Sequence, residues 1–162
     1  MTIIIYPCSI NFDLPLIESN EYLMINTSYS IEDLNKVSAN SMISLLGIEY
    51  TDVAANHLSG RMPVDHRTVQ PHRTLHGGAC SAFAETLASL AGTLCINRDT
   101  HFIAALNINS SFVGMAREGY VYGKAKPSFI DKKSQVWSVE ITNKQEKLIC
   151  TCSVRLAVLK KK

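Results

Sequence analysis

Charge of one sign, long apolar runs and a cysteine framework are what this sequence has least of. Sixteen Lys and Arg against fourteen Asp and Glu leave a net charge of +2. Apart from the closing Lys160, Lys161 and Lys162, the basic residues are scattered. No basic stripe interleaved with aromatics exists for nucleic acid to recognise, which removes nucleic acid from the expected partners. No apolar run approaches the ~20 residues that span a bilayer, so a soluble protein without a membrane partner is expected. The five cysteines (Cys8, Cys80, Cys95, Cys150 and Cys152) are odd in number and include no C-x-x-C pair, which fits free thiols in a reducing cytoplasm. His57, His66, His72, His76 and His101 do not combine with them at ligand spacing, so neither metal nor cofactor is expected.

What remains is 162 residues, 46% apolar and 19% charged, enough for one domain with a sizeable core. The opening "MTIIIYPCSINFDLP" lacks a basic start, and Pro7 interrupts its short apolar run, so it does not read as a secretory signal. Met24 opens "MINTSYSIEDLNKVS" in the manner of a domain start. Residues 1–28 are therefore expected to be an N-terminal extension, with residues 1–23 loosely attached, and 29–162 the domain.

Ser30, with Asp33 three residues on and Leu34, Val37 and the 42–46 run beyond, predicts one helix of three to four turns ended by Gly47. "IEYTDVAANHLSGRMPV" reads as a strand pair turning at Ala55 and Asn56, and 65–76 as an irregular loop. Four further strands are expected near 102–113, 119–127, 134–142 and 148–159. In the last of these Leu148, Cys150, Cys152, Val154, Leu156 and Val158 alternate with Ile149, Thr151, Ser153 and Arg155. Short connections argue for an antiparallel sheet, and the whole for an α+β fold.

The helix predicted by "HGGACSAFAETLASLAG" carries a single charge, Glu85. Ala79, Phe83, Leu87, Leu90 and Leu94 share one sector and form its core face, leaving Glu85 roughly opposite between Ser81, Ser89 and several alanines. Such small residues let a second surface cover the helix, and a partly desolvated carboxylate there is a better base or nucleophile than one in water. A lone glutamate that simply reaches solvent is the bland alternative. Just ahead, His76, Gly77 and Gly78 stand where unpaired N–H groups and the helix dipole can hold an oxyanion. Alone they would be an ordinary glycine-rich turn. With Gln70 before them and Glu85 two turns beyond, they supply the parts of an acyl-transfer site.

The stretch "MPVDHRTVQPHRTLHGGACSAFAETLASLAG" closely resembles the hotdog-fold acyl-CoA thioesterases of the phenylacetate-pathway type, in residue types and in the spacing of Gln70, His76, Gly77, Glu85 and Ser89. Within them it is nearest the branch acting on 1,4-dihydroxy-2-naphthoyl-CoA and its proofreading relative of enterobactin synthesis. The similarity continues through "LNINSSFV", "AREGYVYGKAKP" and "QVWSVEI", over about residues 31–159. It implies a hotdog fold, an antiparallel sheet wrapped around a long central helix, forming dimers that commonly pair into tetramers. It also implies hydrolysis of acyl-CoA, aryl-CoA esters foremost. Glu85 matches the catalytic carboxylate, as nucleophile or as general base on water. Gln70 matches the residue placing thioester or water, Gly77 the N–H that polarises the carbonyl, and His76 and Ser89 supporting positions. Carboxylate and oxyanion donors then come from different protomers.

The same resemblance places CoA along Ala105, Phe112, Val113, Gly114 and Met115 and along Phe129, Ile130, Asp131, Lys132, Lys133 and Ser134. The two lysines are candidates for phosphate, though a solvated turn explains them equally well. Phe112 and Gly114 stand where relatives tend to carry basic or polar residues. Other readings are a hotdog dehydratase, a non-catalytic acyl-CoA-binding protein, or a thioesterase for acyl groups on a carrier protein.

Overall fold

Ser30 caps the first helix as its spacing predicts, its hydroxyl accepting the Asp33 N–H at 3.1 Å. The computed structural model describes residues 24–162, so residues 1–23 of the expected 1–28 extension lie outside the described residues, while Ile25, within it, is buried and its N–H reaches the Ala55 carbonyl at 3.1 Å. One prediction fails at once: the single helix ending at Gly47 is two short ones, α1 (Ile31–Lys36) and α2 (Met42–Leu45). The cause lies in "SANS". Asn40 adopts a left-handed φ of 56°, the Ser41 hydroxyl donates to the Ser38 carbonyl at 2.6 Å, and Ser41 and Ser44 form a capping box that starts α2 afresh. These side chains offer the backbone an alternative to continuing the helix. Gly47 does terminate α2, at φ 69°.

The hairpin follows as expected, with β1 (Glu49–Ala54) and β2 (His57–Pro63) joined through Ala55 and Asn56. The long helix α3 is Gly77–Thr93, and after it come β3 (His101–Phe112), β4 (Tyr120–Ile130), β5 (Ser134–Asn143) and β6 (Leu148–Lys160). All six strands form one antiparallel sheet in the order β1-β2-β4-β5-β6-β3. Alternation decides the buried face: Gln135, Trp137, Val139 and Ile141 of β5 and Cys150, Cys152, Val154 and Leu156 of β6 all turn inward.

Two glycines seat the helix on the sheet. Gly60 of β2 and Gly123 of β4 are register partners. A Cβ on Gly60 would lie 2.8 Å from Leu87, and one on Gly123 would lie 2.6 Å from Leu87 and 2.9 Å from Phe83. The sheet thus leaves a bare patch that Phe83 and Leu87, both fully buried, fill. Farther along, Gly92 admits Gln135, whose amide donates to the Gly92 carbonyl at 3.3 Å and accepts the Trp137 indole N–H at 2.9 Å. Both sides of α3 are covered, because Cys80, Ala84, Thr86, Ala88 and Ala91 are buried beside the expected core face. Of that face only Leu90 is no more than half-buried.

Candidate active site

The loop from Asp65 to His76 is irregular but firmly held, and it carries Gln70 and His76 to the start of α3. Thr68, buried, donates its hydroxyl to the Pro63 carbonyl at 2.7 Å. The Gln70 N–H reaches the Thr74 carbonyl, the His76 N–H reaches Thr68, and the Leu75 N–H reaches Ala116 beyond β3. Asp65 and Arg67 pair at 2.6 Å, and the Arg67 hydrogen bonds pull the Asp65 carboxyl down to about 2. A tight turn at Arg73, φ 60°, lets the Gln70 amide donate to the Thr74 hydroxyl at 2.7 Å. Among the described residues the Gln70 side-chain oxygen takes no partner.

His76 is the N-cap of α3, and its Nδ1 accepts the Gly78 N–H at 2.8 Å. Gly78 permits this, since a Cβ there would lie 3.0 Å from that nitrogen. Accepting at Nδ1, a neutral ring carries its proton on Nε2, free to donate outward. The first amide of a helix has no acceptor within the helix, and among the described residues the Gly77 N–H has none. This N–H stands at the positive end of a 17-residue helix, where it can donate to an anionic oxygen.

Glu85 is half-buried in the middle of α3, and Ser89 holds it through a hydrogen bond of 2.6 Å. Tyr50 of β1 is a neighbour that sequence reasoning missed. Burial first, and the negative charge of Glu85 further, push its hydroxyl up to about 12. Ser81, one turn before Glu85, meets Ser110 of β3 at 3.0 Å.

The predicted residues thus fall into two groups, Gln70, His76 and Gly77 in one and Glu85 and Ser89 in the other. Eight residues of α-helix separate Gly77 from Glu85, about 12 Å along the axis, too far for one thioester carbonyl to touch both.

The expected CoA residues divide in the same way. Phe112 is paired with Cys150, whereas Ser134 is level with Ala157, itself opposite Ala104 beside Ala105. Seven residues of β6 put these two ends about 23 Å apart. At the far end Asp131 accepts the Lys133 and Ser134 N–H groups at 2.7 and 2.6 Å, which hold its carboxyl below the usual range and fix the turn presenting Lys132 and Lys133. At the near end Phe112 to Met115, with Arg117 and Lys147, line an open depression of about 460 Å³.

A second depression, about 350 Å³, lies between α2 and the start of α3. Met42, Leu46, Val69, Ala79 and Ala82 give it apolar walls, and His76 and Gly78 bring it to the first turn of α3. Sequence reading missed it because nothing local ties Met42 and Leu46 to a helix that begins some thirty residues later.

Known proteins are similar to this chain in sequence and in fold. The model of the thioesterase superfamily matches residues 72–150. The 1,4-dihydroxy-2-naphthoyl-CoA hydrolase of Escherichia coli is 37% identical over 130 residues, 80% of this chain and 95% of that one. A thioesterase from Haemophilus influenzae superposes with a TM-score of 0.81 at 37% identity, over 84% of this chain and 94% of that one. A thioesterase from Staphylococcus aureus, TM-score 0.71 at 25% identity over 73% and 98% of the chains, has been solved with a glutamine and, separately, a glutamate fifteen positions later replaced by alanine. The fold is the hotdog arrangement of these structures. Family model, relatives and fold agree, and the chain belongs to the thioesterase superfamily as a hydrolase of thioester bonds.

Proposed function

We propose that the substrate is an acyl-CoA ester, an aryl-CoA such as 1,4-dihydroxy-2-naphthoyl-CoA foremost, and that the working unit is a dimer whose sites are shared. The observation that carries this reading is the split of the predicted site into two half-sites about 12 Å apart on one helix. Pairing β3 with β3 of a second copy, antiparallel about a two-fold axis, brings the Phe112 end of one chain to the Ala105 and 129–134 end of the other. It also turns Gly77 of one chain toward Glu85 of its partner. The unpaired edge of β3 supports this, since Leu106 at its centre is 58% exposed and Phe102 44%. Pairs of such dimers as tetramers complete the proposal.

In the reaction, the carbonyl oxygen lies on the Gly77 N–H, which stabilises the negative charge that develops as the carbonyl becomes tetrahedral. Glu85 attacks that carbon or takes the proton from an attacking water, and Ser89 holds it in place. Gln70 orients thioester or water. The thiolate of CoA leaves with the electron pair of the C–S bond. Where water attacked, the free acid departs at once; where Glu85 attacked, water hydrolyses the resulting mixed anhydride, which returns the Glu85 carboxylate and releases the acid. The apolar depression beside His76 suits an aromatic or short aliphatic acyl group, and Lys132 and Lys133 suit the phosphates of CoA. The spacing of Gln70 and Glu85, fifteen positions as in the replaced pair of the S. aureus protein, supports their assignment. The free, buried Cys80, Cys95, Cys150 and Cys152 support a cytoplasmic location; among the described residues no helix is long and apolar enough to cross a membrane.

The test is thiol release from a panel of aryl- and fatty-acyl-CoA esters, with Glu85→Ala beside the wild type. Hydrolysis of an aryl ester that disappears in the variant is the expected result. Release from carrier-protein thioesters alone would replace CoA as the substrate carrier.

A further inference from the structure

We infer that Phe112 is a positioning residue for this reaction: its ring fills the side-chain space of Gly77 and keeps water from the amide that receives the oxyanion. The inference rests on the proposed role of Gly77. A Cβ built on Gly77 would lie 3.0, 3.2 and 3.3 Å from three ring carbons of Phe112. The ring therefore lies where any side chain at position 77 would project.

Its placement is anchored from two directions. Phe112 is the last paired residue of β3, and beyond it the Val113 and Gly114 N–H groups both reach the Ile149 carbonyl at 3.0 Å. That crease needs glycine, because a Cβ on Gly114 would lie 2.4 Å from the Leu148 carbonyl oxygen. Two residues later the Ala116 carbonyl accepts the Leu75 N–H at 2.8 Å, joining the strand exit to the loop that leads into His76 and Gly77. Ring and amide are thus held by one set of backbone bonds.

Core burial within one chain does not account for the phenylalanine, which is 55% exposed there. Its chemical effect falls on the neighbouring amide. An apolar ring displaces water and lowers the local dielectric, so the same N–H···O⁻ hydrogen bond gains strength as charge develops. A residue acting in this way changes the rate of the chemical step, whereas a nucleotide contact changes substrate binding.

Steady-state kinetics on the ester that wild type hydrolyses best separates these roles. Phe112→Ala is expected to lower kcat about tenfold, a fraction of the loss of a whole oxyanion donor, while KM moves by less than about threefold. Phe112→Leu, still apolar, is expected to recover most of the rate. Gly77→Ala keeps the amide but pushes the ring aside. It is expected to reproduce the loss, and the double variant to fall no lower than the worse single one. A rise in KM alone for Phe112→Ala, or losses that multiply in the double variant, would overturn the inference. Glu85→Ala runs in parallel. If wild type hydrolyses the ester, Glu85→Ala abolishes turnover and Phe112→Ala is without effect, this inference alone fails. If wild type releases no thiol from any ester, the proposed function beneath it fails as well.

Discussion

Ser89 donates its hydroxyl hydrogen to Oε1 of Glu85 across 2.6 Å, one helical turn away. The bond fixes a half-buried carboxylate that is the only charged side chain in α3. Two graded outcomes are expected. Glu85→Gln, nearly isosteric, removes nucleophile and base together and lowers kcat by about 10³-fold, within the range for loss of a positioned acid–base group. Ser89→Ala removes one hydrogen bond to a charged group, about 1.5–3 kcal/mol, and lowers kcat by roughly ten- to a hundredfold. Neither change touches the core, so both variants are expected to unfold within a few degrees of wild type. Kinetics and thermal unfolding on the same preparations check this, and a Ser89→Ala enzyme of full activity would leave Glu85 positioned by something else.

A site divided between chains has a consequence that a site within one chain lacks. Glu85→Ala and Gln70→Ala proteins, each inactive alone, are expected to regain activity when unfolded and refolded together. In a mixed dimer one site carries both defects and the other none, so random pairing restores about a quarter of wild-type turnover. Glu85→Ala combined with Gln70→Ala in one chain, mixed with wild type, serves as the control. Absence of any recovery would mean that each site is built from one chain.

The strands and the long helix were legible because their signals are local. Alternation through 134–142 and 148–159 marks one buried face, and the apolar sector from Ala79 to Leu94 marks the helix. Glu85, Ser89, His76 and Gly77 stood out as candidates because they follow one another at fixed spacing. The break at Asn40 was hidden because a capping signal and an apolar run agree with one helix as well as with two, and the serine hydroxyls decide between them only in three dimensions. The ring of Phe112 on Gly77, the charge of Glu85 near Tyr50 and the α2–α3 depression each join residues some thirty positions apart or more. Only the packing of helices on the sheet and on each other brings such pairs together.

Gly60 and Gly123 illustrate the same limit, being sixty-three positions apart yet directly opposite in the sheet. A methyl on Gly123 meets Leu87 at 2.6 Å and Phe83 at 2.9 Å, with no room to recede in a fully buried layer. Gly123→Ala is expected to destabilise the fold by about 1–3 kcal/mol, the usual range for overpacking a core. Gly119→Ala, where a Cβ meets nothing within 4 Å but φ is +77°, isolates the backbone contribution at a glycine outside the core. Chemical denaturation of both checks the pair. A Gly123→Ala protein as stable as wild type would show that the helix seats without close contact at this point.

Burial also sets how the protein responds to alkali. It pushes the Cys80 thiol up to about 11 and the Cys95 thiol up to about 12, from 9.0, and raises Cys150 further. In the unfolded chain these thiols lose their protons near pH 9, whereas in the fold they keep them to higher pH. The folded state then binds more protons than the unfolded one, so stability falls as pH rises through that window. Below the unfolded value the contribution is complete, which predicts a level melting temperature from neutral pH to about 8 and a decline of several degrees above 9. The same protonation makes the thiols poor nucleophiles. Iodoacetamide at pH 8, read site by site by mass spectrometry, is expected to spare Cys80, Cys95, Cys150 and Cys152 in the native protein and to modify all four once denaturant is added. Rapid native labelling at Cys80 or Cys95 would mean that the core opens around α3 far more readily than its packing implies. The alkaline decline would then begin from a locally open state, and not from the folded one.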